Sequence, residues 1–262
     1  MTRPIGLMGR KAPRPGSKRP RLANFTTVSL PAAGLDIDWI LGRTDWGMMG
    51  NDRRSNCTAV ALAHQLMAWA EAIDGQPYDV QEAAATDLYT AATAKEGHQY
   101  DPVTGKNDDG AYMADVLAVA QQSGLEGHKI DGWLSIEPGH LDESRFGLET
   151  FGGLLCGMAL PAHAKEQFEA HQPWSVVSPW SAAGRAGSWG EHEVVILKAS
   201  PEELFCVTWG GVQPMTNQFF CTYADDVLVA VYSQFLHRHC LAAPHIAKQE
   251  LYKELADVGP HH

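Results

Sequence analysis

Gly50-Asn51-Asp52-Arg53-Arg54-Ser55-Asn56-Cys57-Thr58-Ala59-Val60-Ala61 is a polar, turn-prone run that passes into a helical segment, with a cysteine at the junction. Cysteine is a mediocre helix former and a mediocre cap, so a helix start has no need of one. A thiol at that position gains from the unpaired N–H groups and the helix dipole, which favour the thiolate, its nucleophilic form. Asn51, six residues upstream, carries an amide that can donate to an oxyanion forming beside the sulfur. A lone cysteine opening a buried helix is also the ordinary reading of an inert core thiol, and this stretch alone leaves both open.

Downstream of the cysteine, Leu62, Leu66, Trp69 and Ile73 recur at helical spacing, which predicts a helix from Cys57 to about Ile73 closed by Asp74-Gly75-Gln76-Pro77. His64 lies two turns along it, about 10 Å from Cys57, and reads as a structural histidine. Further helices are expected at 79–95, with Asp79 as N-cap, at 111–123 and at 141–151. Strands are expected within 125–136 and at 153–160, 193–199, 204–209 and 227–232. Helices first and strands later, without alternation, imply an α+β fold with an antiparallel sheet.

Composition narrows the function. Residues 1–31 hold seven Lys/Arg and no acid, with five prolines between them. They read as a basic, extended arm, disordered, lying along a neighbouring subunit in an assembly, or touching nucleic acid. The remainder carries 13 basic against 31 acidic residues, a formal −18, which makes nucleic acid an improbable partner for the main domain. Five scattered cysteines without a CxxC pair argue for free thiols in a reducing compartment. No apolar run has the length of a membrane span or the form of a signal peptide. No glycine loop of phosphate-binding type is present and no cofactor is expected. The 101–110 loop and His237-Arg238-His239-Cys240 lack the spacing of metal sites.

The second chemical signal is Ser188-Trp189-Gly190-Glu191-His192-Glu193-Val194-Val195, a histidine at the mouth of an apolar strand after a glycine-containing loop. Cys57 and His192 have the form of a nucleophilic cysteine–histidine pair. Another strand then ends in Val207-Thr208-Trp209-Gly210. Asn51, Cys57, His192 and Trp209-Gly210 together resemble the ordered motifs of papain-like cysteine peptidases. Gly50–Arg53 with Cys57, Gly127–Ile130 and Thr208–Gly210 resemble more closely a group of uncharacterised papain-fold proteins of bacteria and their phages.

The resemblance covers roughly 32–235. It implies a papain-like domain at 32–240, with the nucleophile helix packed on an antiparallel sheet or barrel, between the 1–31 arm and a 241–262 tail. It assigns Cys57 as nucleophile, His192 as base and Asn51 as oxyanion donor, with Trp209 shielding the pair at the substrate cleft; Trp189, with Trp174 and Trp180, either lines that cleft beside His192 or packs over the sheet. The family's orienting asparagine falls on Val207, which accepts no hydrogen bond. Thr208, the neighbouring residue, faces the other side of the strand, so a bulge, a bare dyad or a lost activity are the alternatives. The function implied is a peptidase or amidase acting on a protein or peptide. The competing reading is a virion or assembly subunit with a vestigial site and a docking arm; a transglutaminase-like acyltransferase is a third. A location in the bacterial cytoplasm or in the virion follows from the same resemblance.

Overall fold

The computed structural model describes residues 4–16, 19–26, 36–239 and 248–257. Apolar alternation in the strands and apolar stripes on the helices produce three layers around a seven-stranded sheet. After a 3-10 turn at Leu22–Phe25 come β1 (Ile37–Asp38), α1 (Cys57–Asp74), α2 (Glu82–Lys95), α3 (Met113–Gln122), β2 (Gly132–Ile136), α4 (Leu141–Phe151) and β3 (Leu154–Leu160). They are followed by α5 (Ala162–Glu169), β4 (Gly190–Ala199), β5 (Glu203–Thr208), β6 (Gly211–Thr216), α6 (Asn217–Tyr223), β7 (Ala224–Val231), α7 (Ser233–His239) and α8 (Lys248–Asp257). The sheet order is β2-β7-β3-β4-β5-β6, with β1 beside the far end of β4 and every pairing antiparallel. Among the described residues the sheet stays open between β2 and β6 and forms no barrel.

Strand alternation divides the core. Leu155, Val195, Leu197, Val207, Leu228 and Ala230 face α1, α2 and α3, where Leu62, Leu66, Trp69, Leu88 and Val116 meet them. Cys156, Met158, Val194, Ile196, Leu204 and Val229 face the opposite layer, filled by Phe146, Phe151, Phe168, Phe219 and Leu251. The α+β reading holds, and the helices at 57–74 and 141–151 fall where the periodicity puts them.

Other elements differ in detail from the expectations. The second helix starts at Glu82 after Gln81, because Asp79 is drawn away to Arg43, 2.6 Å distant. In the expected 125–136 strand, Leu125–His128 is a turn closed by reciprocal backbone hydrogen bonds, and only 132–136 is extended. The 241–262 tail contains α8, whose Leu251 and Leu255 are buried. The arm folds back onto its own domain: Leu22 and Phe25 are buried, and Arg21 is bridged to Ser135 of β2.

Gly152 terminates α4 at φ +73°, and its N–H donates to Leu148 O at 3.0 Å. A Cβ there would stand 2.5 Å from Phe235 Cζ and 2.8 Å from Trp69 Nε1. Gly152→Ala is therefore expected to cost at least about 1–3 kcal/mol by overpacking. Gly75→Ala, at φ +67° with open space around it, should lose only the backbone penalty of about 1–2 kcal/mol. Urea denaturation of the two variants measures the difference.

Candidate active site

Cys57 is the first residue of α1, and no side chain caps that helix. Asn56 precedes it and spends its amide on Met49 O at 3.0 Å. The thiol thus faces uncapped first-turn N–H groups and the positive end of the dipole. It accepts from the backbone N–H of Glu193 and of Gly9, which fixes the sulfur at the His192–Glu193 step of β4. Cys57 is 2% and His192 1% exposed.

His192 Nε2 lies 2.7 Å from Thr208 Oγ1, and His192 Nδ1 is buried with no hydrogen-bond partner. The register explains Thr208. Val195 pairs with Val207, so Val207 points with Val195 into the α1 side of the core, and Thr208 shares the face of Val194 and His192. The one irregularity between β4 and β5, at Ile196/Lys198, lies away from this contact. No bulge is needed: Thr208, and not Val207, lies on the face of the sheet that His192 occupies, so the contact forms without the expected bulge.

Trp209 and Gly210 form the two-residue connection between β5 and β6, at φ +46° and +75°. Both values are those of the hairpin turn that matches strand twist. Tryptophan is a costly residue there, and its ring stacks on His192 at 4.5 Å with an interplanar angle of 24°. Trp189 closes on Trp209 at 5.3 Å. Trp174, wholly buried, also meets Trp209 edge-on at 6.5 Å, whereas Trp180 is 95% exposed. His64 is also buried, its Nε2 3.0 Å from Trp46 O. His239 is taken by Ala72 O at 3.0 Å, and among the described residues no three His, Cys, Asp or Glu side chains are placed to hold a metal.

The arm crosses this site. Leu7 N donates to Asn51 O at 2.6 Å, and Asn51 Nδ2 donates back to Leu7 O at 2.9 Å and to Arg54 O at 3.1 Å. The amide expected to meet an oxyanion is therefore occupied by a backbone carbonyl. Gly6 lies on Trp209 and Gly9 on Ser55 so closely that a Cβ at either would collide, at 2.4 and 1.9 Å. Met8 rests on Gly190. Ala111 N donates to Gly9 O and Lys11 N to Ala111 O, at 2.9 and 3.0 Å, which makes the arm a parallel bridge partner of the 111 segment.

Arg10, with a side chain 0% exposed, ion-pairs with Glu191 and with Asp225, the latter at 2.7 Å. Lys11 pairs with Glu96, Arg14 with Asp115, Arg19 with Asp226 and Arg21 with Glu137. None of these arm contacts was legible in the sequence. The usable signals were the charge imbalance and the glycines at 6 and 9.

Burial sets the ionisation. Desolvation pushes the Cys57 thiol up to about 12 and outweighs the two N–H donors. Desolvation, then the positive charge of Arg10, brings His192 down to about 3. With the arm in place both groups are neutral at pH 7.

No protein-family model and no curated protein matches the sequence. Solved structures do. Xylellain, a cysteine protease from Xylella fastidiosa, is 13% identical over 88% of this chain and 98% of its own, with a TM-score of 0.61. The Carica candamarcensis cysteine protease CMS1MS2, in complex with E-64, is 13% identical over 75% and 98%, at 0.51. Digestive procathepsin L2 from Tenebrio molitor is 14% identical over 78% and 69%, at 0.52. At these identities the likeness establishes the papain-like fold.

The ionisation predicts pH behaviour. His192 binds a proton less readily folded than unfolded, so its contribution to stability is lost as pH falls from about 6.5 towards 3. Comparison of the pH profile of the melting temperature with that of His192→Gln isolates this loss from the buried carboxylates, which shift the other way. In the intact chain, iodoacetamide between pH 6 and 9 should alkylate the exposed Cys221 before Cys57; peptide mass mapping reads the order.

Proposed function

We propose that the chain is a papain-type thiol hydrolase of peptide or amide bonds, held latent by its own N-terminal arm. The observation that carries the reading is the arm itself. Its backbone takes the Asn51 amide and the Cys57 thiol at once, as an extended polypeptide substrate would. The fold shared with cysteine proteases supports it.

In this reading the arm leaves and water reaches the site. Both shifts caused by desolvation relax, and the proton moves from Cys57 Sγ to the bare Nδ1 of His192. Thr208 Oγ1 holds the opposite ring nitrogen and fixes the tautomer; Trp209 holds the ring plane. The thiolate attacks the carbonyl carbon, forming the S–C bond, while Asn51 Nδ2 and the Cys57 N–H receive the oxyanion. His192 passes its proton to the leaving amine as the C–N bond breaks. Water, deprotonated by His192, then cleaves the thioester and restores the thiol.

Among the described residues the arm lends the assembly reading no support. Arg10, Lys11, Arg14, Arg19 and Arg21 are all paired with carboxylates of the same chain.

Arg10→Glu in the full-length chain reverses the charge that anchors the arm. Alkylation of Cys57 at pH 6 to 7 is expected to rise at least tenfold, and the double variant with His192→Ala to lose that gain. A Cys57 as inert in Arg10→Glu as in the wild type would sink the latency reading.

A further inference from the structure

The side chain of Arg10 occupies a pocket built by three neighbouring strands. Glu191 and Glu193 are two apart on β4 and therefore share a face. Gly157 of β3 stands between Glu193 of β4 and Asp226 of β7, directly paired with both. Beyond Gly157 the β3–β7 register shifts, from Gly157 opposite Asp226 to Met158 opposite Ala224. The shift leaves Asp225 as an extra residue, which turns its carboxylate towards the same point as Asp226. Glycine at 157 forms the floor: a Cβ there would stand 2.6 Å from Arg10 Nη1 and 2.8 Å from its Cζ. Glu191, Glu193 and Asp225 on a glycine floor thus surround the Arg10 guanidinium, while Asp226 beside them is held by Arg19, 2.6 Å away.

The pocket is richer in acceptors than its occupant uses. Arg10 spends Nη2 on Glu191 and Asp225, while its Nε and Nη1 make no hydrogen bond. Glu193, 3% exposed, has an Oε2 that is buried without a partner in the pocket. Burial works against charge on Arg10, and Glu193, Asp225 and Glu191 outweigh it. The pocket therefore holds a cation even at this depth. It also adjoins the thiol: Arg10 is the residue after Gly9, whose N–H faces Cys57, and Glu193 donates its own N–H to that thiol.

Resting on the hydrolase reading, we infer that this pocket is the specificity site of the cleft. It selects polypeptides with an arginine or lysine side chain within two residues of the bond attacked, and Arg10 is the arm's stand-in for that side chain. A planar guanidinium suits several carboxylates at once better than an ammonium does, so arginine ranks above lysine.

Full-length Arg10→Ala, with Arg10→Met as the variant that keeps the arm's bulk, vacates the pocket. Ethylguanidinium is expected to raise the melting temperature of both variants, and neutral ethylurea of the same shape is not; the wild type responds to neither. Dipeptide vinyl sulfones with arginine, citrulline, leucine or glutamate next to the warhead residue then report on selection, read by intact mass. Cys57 of Arg10→Ala should react with the arginine probe at least tenfold faster than with citrulline or leucine, and slowest with glutamate. Asp225→Asn and Glu191→Gln, both at half-exposed positions, should each reduce that preference.

Equal stabilisation by ethylguanidinium and ethylurea, or equal rates with arginine and leucine, overturns the inference and leaves the hydrolase reading standing. If ethylguanidinium stabilises but Cys57 takes none of the probes, the hydrolase reading itself has failed. The pocket is then an anchor for the arm alone.

Discussion

The placement of Arg10 among Glu191, Glu193 and Asp225 is the interaction on which the state of the site depends. Removing one partner of a buried ion pair leaves the other charge stranded, at a typical cost of about 3–5 kcal/mol. Exposed pairs such as Arg21–Glu137 are worth about 0–1 kcal/mol each. The arm is therefore pinned at Arg10 and again at Arg19, whose pair with Asp226 is also largely buried, and only steered at exposed pairs such as Arg21–Glu137. With Arg10 seated, Gly9 and Leu7 are delivered to Cys57 and Asn51, and water is expelled from both.

One strand carries most of this. The period-two alternation of β4 sends His192 to one face, where Thr208 and Trp209 receive it, and Glu191 and Glu193 to the other, where Arg10 lies. The Glu193 N–H reaches the thiol between them. Sulfur, imidazole and carboxylate pocket are thus fixed relative to one another by backbone geometry and not by loop conformation, which is how a rigid site is held. α1 needs only to bring its uncapped first turn to the edge of that strand.

What the sequence revealed and what it hid follow from the range of the interactions. α1 and α4 were legible because their apolar spacing and terminal glycines are local signals, and Cys57 and His192 because each marks the start of such an element. β6 was missed because Pro214 sits inside it. Proline is tolerated there since β6 is the sheet's edge. α6 is short and its Thr216 cap, accepting from Phe219 N, is hard to tell from a turn. Val207 and Thr208 could not be told apart without the pairing register. The arm is expected from sequence to be extended and basic, and its contacts with the body join residues from 44 to 215 positions apart. Local pattern says nothing about such contacts, although the opposed charges of arm and body did.

That opposition now has a place. A body with an excess of 18 negative charges is a costly way to fold a domain, since like charges repel in the compact state. Part of the excess, however, is gathered beside Cys57, where Glu193 and Asp226 are buried and Glu191 and Asp225 are half-exposed. Carboxylates gathered there repel one another, burial makes Glu193, Asp226 and Glu191 bind protons more readily, and together they favour any cation that can enter. Arg10 relieves all three stresses at once, and so would any polypeptide with a guanidinium at the matching distance from its carbonyl. Latency and selectivity then share one cause, for the group that keeps the site closed is the group whose chemistry the site would read.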